Sequence, residues 1–280
     1  MANLTPGSYT LAALDMDGTL LNSAHDTTPY TRAVIARAAA AGKIIALSTG
    51  RCLTEVESHL RDNPGIAYVI GENGAYIYDV RAQKMLRQLH LPDAAAGQIL
   101  NMAAGLDVCV QAFFDNRSHV ELTDDAVLKR YHLYEFVSVF RECSVYVPDM
   151  AAKFRAHGNA EKINLYFTDE ASRAAFLPRL EGLPVRAAGG VGIGVEITPE
   201  GATKADGLRL LCEHLKLPVS QTMAVGDGGN DPELMAAAGL AVAMGNAIDE
   251  VRALADAFTE DCDHDGCAKA LQRWLLGETV

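Results

Sequence analysis

Apolar runs that alternate with helix-length segments constrain this chain more than any other feature. Residues 9–14 form one such run, which ends at Asp15. Thr28 then reads as an N-cap, with Pro29 at the first helical position. Val34, Ile35, Ala38 and Ala41 follow at helical spacing, and Gly42 stops the helix. Residues 44–47 read as a second buried strand. Leu53, Val56 and Leu60 mark a second helix, and residues 68–70 a third strand. This alternation predicts βαβ units and a parallel sheet.

The rhythm breaks near residue 80. Segments 75–78 and 85–89, joined by a polar turn, read as a hairpin. Beyond them, strands are expected at 108–114 and 163–167, and helices at 124–136 and 169–180. The glycine-rich stretch 189–194 reads as a hinge. The βα pattern then resumes with strand 195–197, helix 204–215, strand 222–225, a helix from Pro232 and a closing helix over 265–276. The expected fold class is α/β: a Rossmann-like, doubly wound parallel sheet formed by residues 1–82 and 189–280, interrupted by an α+β domain at 83–188.

Composition narrows the function. The 280 residues are 49% hydrophobic and 21% charged, enough for a core that needs no metal or disulfide staple. A net charge of −12 without a basic stripe speaks against nucleic acid. An anionic substrate would have to be held by a local basic or metal site. Cys52, Cys109, Cys143, Cys212, Cys262 and Cys267 are scattered without disulfide spacing and read as free thiols in a reducing compartment. Residues 1–9 lack the basic-then-apolar pattern of a signal peptide. No apolar run approaches the roughly 18 residues of a membrane span, so a cytoplasmic protein with no membrane partner is expected.

Four segments carry chemistry. Leu14-Asp15-Met16-Asp17-Gly18-Thr19 ends the first strand. Ligands of open α/β sheets bind at the carboxyl ends of strands, and acids there are costly unless they meet a cation or a reacting group. Ser48-Thr49-Gly50-Arg51 ends the second strand with a hydroxyl and free amides able to donate to phosphate oxygens. Lys204 opens a helix after Thr198-Pro199-Glu200-Gly201. Gly226-Asp227-Gly228-Gly229-Asn230-Asp231 follows another strand, and two acids there point to a hard cation with oxygen ligands.

Taken in order, these segments resemble the four motifs of the haloacid dehalogenase superfamily, and most closely its Cof-type (subclass IIB) phosphatases. Gly71-Glu72-Asn73-Gly74-Ala75, Glu196-Ile197-Thr198-Pro199, Ala243-Met244-Gly245-Asn246-Ala247 and Asp265-Gly266 support the likeness. It covers residues 10–80 and 190–275, with the insertion in the position of that branch's cap. The resemblance implies a Mg2+-dependent phosphatase acting on a small-molecule phosphate ester such as a sugar phosphate, through an aspartyl-phosphate. Asp15 is then the nucleophile, and Asp17 the acid and base, which must start protonated. Mg2+ falls to Asp15, the Asp17 backbone carbonyl and Asp227. Met16, Thr49, Gly50, Lys204 and Asn230 hold the phosphate, and Asp231 orients Lys204. The cap closes over the phosphoryl site, with Arg51, Glu72 and Asn73 as candidates for the cleft mouth and Arg51 equally an ion-pair partner. Phosphomutase or phosphotransferase chemistry, or a non-catalytic phospholigand-binding module, are the alternatives.

Two decoys are set aside. Residues 261–266 resemble the start of an EF-hand loop, but the twelfth position is Gln272 instead of Glu. Cys262, His264 and Cys267 crowd too closely for a zinc tetrahedron. A loop capping the last helix is the expected structure. His132 and Tyr131 in the insertion read as surface residues of a helix.

Overall fold

The computed structural model describes residues 5–121 and 125–279. The strands, in chain order, are β1 (Leu11–Leu14), β2 (Ile44–Ser48), β3 (Ile66–Gly71), β4 (Tyr76–Asp79), β5 (Lys84–Gln88), β6 (Val108–Phe114), β7 (Arg117–Val120), β8 (Ser144–Tyr146), β9 (Lys162–Phe167), β10 (Val185–Gly190), β11 (Gly194–Pro199), β12 (Thr222–Gly226), β13 (Leu240–Ala243) and β14 (Ala257–Phe258). They form two sheets, of order β14-β13-β12-β1-β2-β3-β4-β5 and β10-β11-β9-β6-β7-β8.

The chain divides into two compact units. The first holds Met1–Arg51, Glu57–Arg87 and Thr203–Val280; the second holds Cys52–Val56 and Gln88–Ala202. In the first, β14, β13, β12, β1, β2 and β3 run parallel, and β4 turns back antiparallel on β3. Residues of β1 are fully buried, as a central strand of an α/β core must be. The expected α/β class, with a Rossmann-like parallel core, is the class observed. The helix Pro29–Ala40 begins as its sequence predicts: Thr28 accepts from the Thr31 amide, and Pro29 opens the first turn. Its inward face is Thr31, Val34, Ile35 and Ala38.

In the second unit a sheet that is antiparallel except for the parallel pair β7–β8 packs one face against the helices Asp93–Ala103 and Met150–His157. Val110, Ala112, Phe114, Ile163, Leu165, Phe167, Val195 and Ile197 supply the strand side of that core.

Several local expectations are corrected. The stretch expected as a hinge near 189–194 is the turn of the β10–β11 hairpin, whose register runs from Val185 opposite Pro199 to Gly190 opposite Gly194. Gly192 takes φ +58° in that turn. Strand 195–197, expected to resume the core, is part of β11 and pairs with β9 in the second sheet. The expected helix 124–136 is a short helix Asp125–Arg130 followed by a 3-10 turn Tyr134–Phe136; its expected start at residue 124 lies outside the described residues. His132, at φ +60°, breaks it. The helix 169–180 tightens to a 3-10 turn at Leu177–Leu180, where Pro178 withdraws a backbone donor. Among the described residues, no helix is long and apolar enough to cross a membrane.

Candidate active site

Strand order brings the four sequence segments to one place in the first unit. β1 lies between β12 and β2, in parallel with both. The residues following β1, β2 and β12 therefore leave the same sheet edge side by side, where strand order reverses. Asp15 follows β1, Thr49 follows β2 and Asp227 follows β12.

Lys204 reaches this edge from a helix start. Thr203 caps the helix Lys204–Leu215 by accepting from the Asp206 amide. The Lys204 ammonium is buried and donates to Asp15 Oδ1 at 2.5 Å, Asp231 Oδ1 at 2.6 Å and Asn230 Oδ1 at 3.1 Å. Burial alone would lower its pKa, but the charges of Asp15 and Asp231 outweigh that and raise it. The amide nitrogen of Asn230 donates to Asn73 Oδ1 at 3.1 Å. Asp231 is fully committed: its other oxygen accepts from the amides of Asp227 and Gly228, both at 2.9 Å.

Asp15, Asp227 and Asp231 each offer a carboxylate oxygen, and these atoms lie within 4.8 Å of one another. One ammonium does not balance three acids, of which Asp15 and Asp231 are buried and Asp227 half-buried. Burial first, then the charge of Asp231, raise the Asp15 pKa well above the ordinary carboxylate value despite Lys204. Burial likewise pushes Asp227 up to about 6, against a 2.6 Å hydrogen bond from Thr19 Oγ1. An all-oxygen donor set with surplus negative charge fits a hard divalent cation. Asp227 accepts from the neutral donors Thr19 and Asn246, whereas Asp231 is spent on Lys204 and the loop.

The loops hold this set closely. Gly18, at φ +79°, has no room for a side chain, because a Cβ would stand 2.4 Å from Asp227 Oδ2. Asn246 Nδ2 donates to Gly18 O at 2.8 Å and to Asp227 Oδ2 at 3.2 Å. Thr49 is buried, and its hydroxyl oxygen accepts from the Arg51 amide at 3.2 Å, which leaves the hydroxyl proton for another acceptor. Met16 is buried beside Asp15, and Gly50 follows Thr49 at the end of β2. Asn73 takes the left-handed conformation at φ +56° and donates its amide to Thr49 O.

Asp17 departs from the expectation that it starts protonated. Arg51 grips it with Nε 2.9 Å from Oδ2 and Nη2 2.5 Å from Oδ1, and His25 Nδ1 stands 3.7 Å from Oδ1. Burial would raise its pKa, but His25 and Arg51 outweigh burial and hold it well below the carboxylate range. Arg51 is therefore an ion-pair partner of Asp17 in this geometry. Sequence reading missed His25, whose signal was only a histidine in a turn. Thr19 and Asn246 lay inside motifs already singled out, without a role.

The acidic loop near the C-terminus is a cap. Asp261 Oδ1 accepts from the amides of Asp263 and His264. Asp265 accepts from the hydroxyls of Thr28 and Thr31, tying the loop to the first helix.

A family model described as haloacid dehalogenase-like hydrolase matches residues 12–271. An HMP-PP phosphatase of Serratia proteamaculans (strain 568) is 29% identical over 273 residues, covering 95% of this chain and 96% of its own. The putative phosphatase YxeH of Bacillus subtilis (strain 168) is 28% identical over 289 residues, covering 96% and 100%. A solved haloacid dehalogenase-like hydrolase from B. subtilis superposes with a TM-score of 0.85 at 25% identity, covering 94% of this chain and 99% of that one.

Proposed function

We propose a reaction from the premise that this chain belongs to the haloacid dehalogenase-like hydrolase family. It is a magnesium-dependent phosphatase that hydrolyses small phosphate monoesters through an aspartyl-phosphate on Asp15. Relatives named as phosphatases over nearly the whole chain support the reaction class. The observation that carries the reading is the three-way contact of Lys204 with Asp15, Asp231 and Asn230. A buried ammonium there offsets charge on a nucleophilic carboxylate and an incoming phosphate.

Phosphate monoesters hydrolyse so slowly unaided that enzymes supply up to about 10²¹-fold. Division into two displacements lowers the barrier of each. Asp15 attacks phosphorus in line, and the bond to the leaving oxygen breaks. Asp17 gives that oxygen a proton, then takes one from the water that cleaves the aspartyl-phosphate. To carry a proton, Asp17 must first part from Arg51. The Thr49 hydroxyl, the Asn230 amide and the backbone amides of Met16 and Gly50 hold the phosphate oxygens. Asp15, the Asp17 backbone carbonyl and Asp227 would hold a divalent cation, which would supply neutralisation of the negative charge on carboxylate and phosphate.

The test is phosphate release from p-nitrophenyl phosphate with and without Mg2+. Wild-type protein should require the metal, and Asp15→Asn should release none. Full activity in Asp15→Asn would overturn the nucleophile assignment.

A further inference from the structure

Three consecutive residues after β3 take left-handed backbone: Glu72 at φ +49°, Asn73 at φ +56° and Gly74 at φ +99°. Glycine adopts this conformation readily. A residue with a side chain does so at a cost, and stays there only where its surroundings hold it. Here they do. The Glu72 amide donates to Arg51 O at 3.1 Å, and the Asn73 amide to Thr49 O at 3.0 Å. Gly74 lies against the backbone that caps the Lys204 helix, where a Cβ would stand 2.1 Å from Thr203 O. The turn is thereby fixed both to the residues after β2 and to the helix start that carries Lys204.

From this frame the Asn73 side chain reaches Asn230. Lysine only donates, so the Lys204 ammonium, 3.1 Å from Asn230 Oδ1, turns the carbonyl end of that amide toward itself. The nitrogen end is then the one that meets Asn73, and it donates to Asn73 Oδ1 at 3.1 Å. Asn73 must in turn present its own oxygen. Both ends of the Asn230 amide are thus held, and Nδ2 carries a second hydrogen that neither contact uses.

We infer that Asn73 is a positioning residue: it orients the Asn230 amide so that this second hydrogen is presented to a phosphate oxygen. The inference rests on the phosphatase reading above, in which Asn230 holds phosphate. An amide free to rotate gives up that freedom when phosphate binds, and one already held does not. The competing account is that asparagine stands at 73 only because it tolerates left-handed backbone. Glycine tolerates it better. Asn73→Gly therefore keeps the backbone, removes the side chain and separates the two accounts.

The experiment uses full-length protein with Mg2+. Calorimetric binding of inorganic phosphate, and kcat/KM for p-nitrophenyl phosphate and a sugar phosphate, are compared in wild type, Asn73→Gly, Asn230→Ala and the double variant. Asn73→Gly should weaken phosphate binding by about three- to tenfold. It should lower kcat/KM by a similar factor for both esters, because the phosphate is common to them. Added to Asn230→Ala, it should change these values by no more than about twofold. Wild-type phosphate affinity in Asn73→Gly, a loss confined to one ester, or a fully additive loss in the double variant would each overturn the inference. Side-chain NMR of the wild type decides even where Asn73→Gly does not fold. Phosphate should shift one Asn230 Nδ2 proton far more than the one bonded to Asn73; equal shifts, or none, would overturn the inference. If the wild type neither binds phosphate nor turns over either ester, the phosphatase reading has failed instead.

Discussion

Arg51 holds Asp17 through both ends of its guanidinium, Nε to Oδ2 at 2.9 Å and Nη2 to Oδ1 at 2.5 Å. A two-point grip of this kind fixes the carboxylate in the ionised form and in one orientation. Asp17 keeps 35% of its side chain exposed, so solvent screens part of the interaction. Its depressed pKa contributes stability above the ordinary carboxylate value, lost only as pH falls through the lower folded value. Arg51→Met should therefore cost about 1 kcal/mol at pH 7 after discounting for exposure. The gap from wild type should narrow as pH falls below about 4. Metal-free thermal melts from pH 7 to pH 3 check this.

Lys204 is the buried counter-charge for two carboxylates. Its removal leaves buried charge uncompensated, which costs about 3–5 kcal/mol. Lys204→Met should show that loss in urea denaturation, together with a fall in kcat of about 10²–10³-fold. A variant with wild-type stability would mean that Asp15 and Asp231 are not held as charged partners.

Asp227, pushed up to about 6 by burial and by Asp231, has the opposite pH sense to Asp17. A raised folded pKa gives stability that is present below the unfolded value near 4 and is lost as pH rises through about 6. Metal-free protein should lose this contribution between those values, and a divalent cation should restore it by binding only the folded state. The rise in Tm on adding Mg2+ is thus expected to be larger at pH 7.5 than at pH 5. Asp227→Asn should abolish most of that difference.

Gly18 stands where a Cβ would meet Asp227 Oδ2 at 2.4 Å, in a backbone conformation of φ +79°. Gly18→Ala combines a strained left-handed residue with displacement of Asp227. It should destabilise the protein by about 1–3 kcal/mol and weaken the response of Tm to Mg2+. Calorimetric melts with and without the metal separate the two effects.

The readable part of this protein was local. Asp15, Thr49, Lys204 and Asp227 each sit at a strand end or helix start, and such positions announce themselves through apolar runs, caps and glycines. A parallel sheet brings such ends together, so the residues that meet around Lys204 could be named in advance. The Arg51–Asp17 grip joins residues 34 apart in sequence, and no local pattern marks which charge an arginine will find. The run near 189–194 could be a hinge or a tight turn, since glycine permits both. Only the pairing of β10 with β11 decided for the turn. In β9 the alternation of polar and apolar residues was visible, but polar alternation normally means water on that face. Here it means a buried network.

The most direct measurement is chemical trapping of the intermediate. Protein turning over a phosphate ester with Mg2+ is quenched in acid, reduced with borohydride and mapped by mass spectrometry. Borohydride converts an aspartyl-phosphate to homoserine. Homoserine should be found at position 15, and only there, in protein quenched during turnover and not in protein without substrate. Steady phosphate release with Asp15 unmodified, or with the reduced residue at any other carboxylate, would contradict Asp15 as the nucleophile.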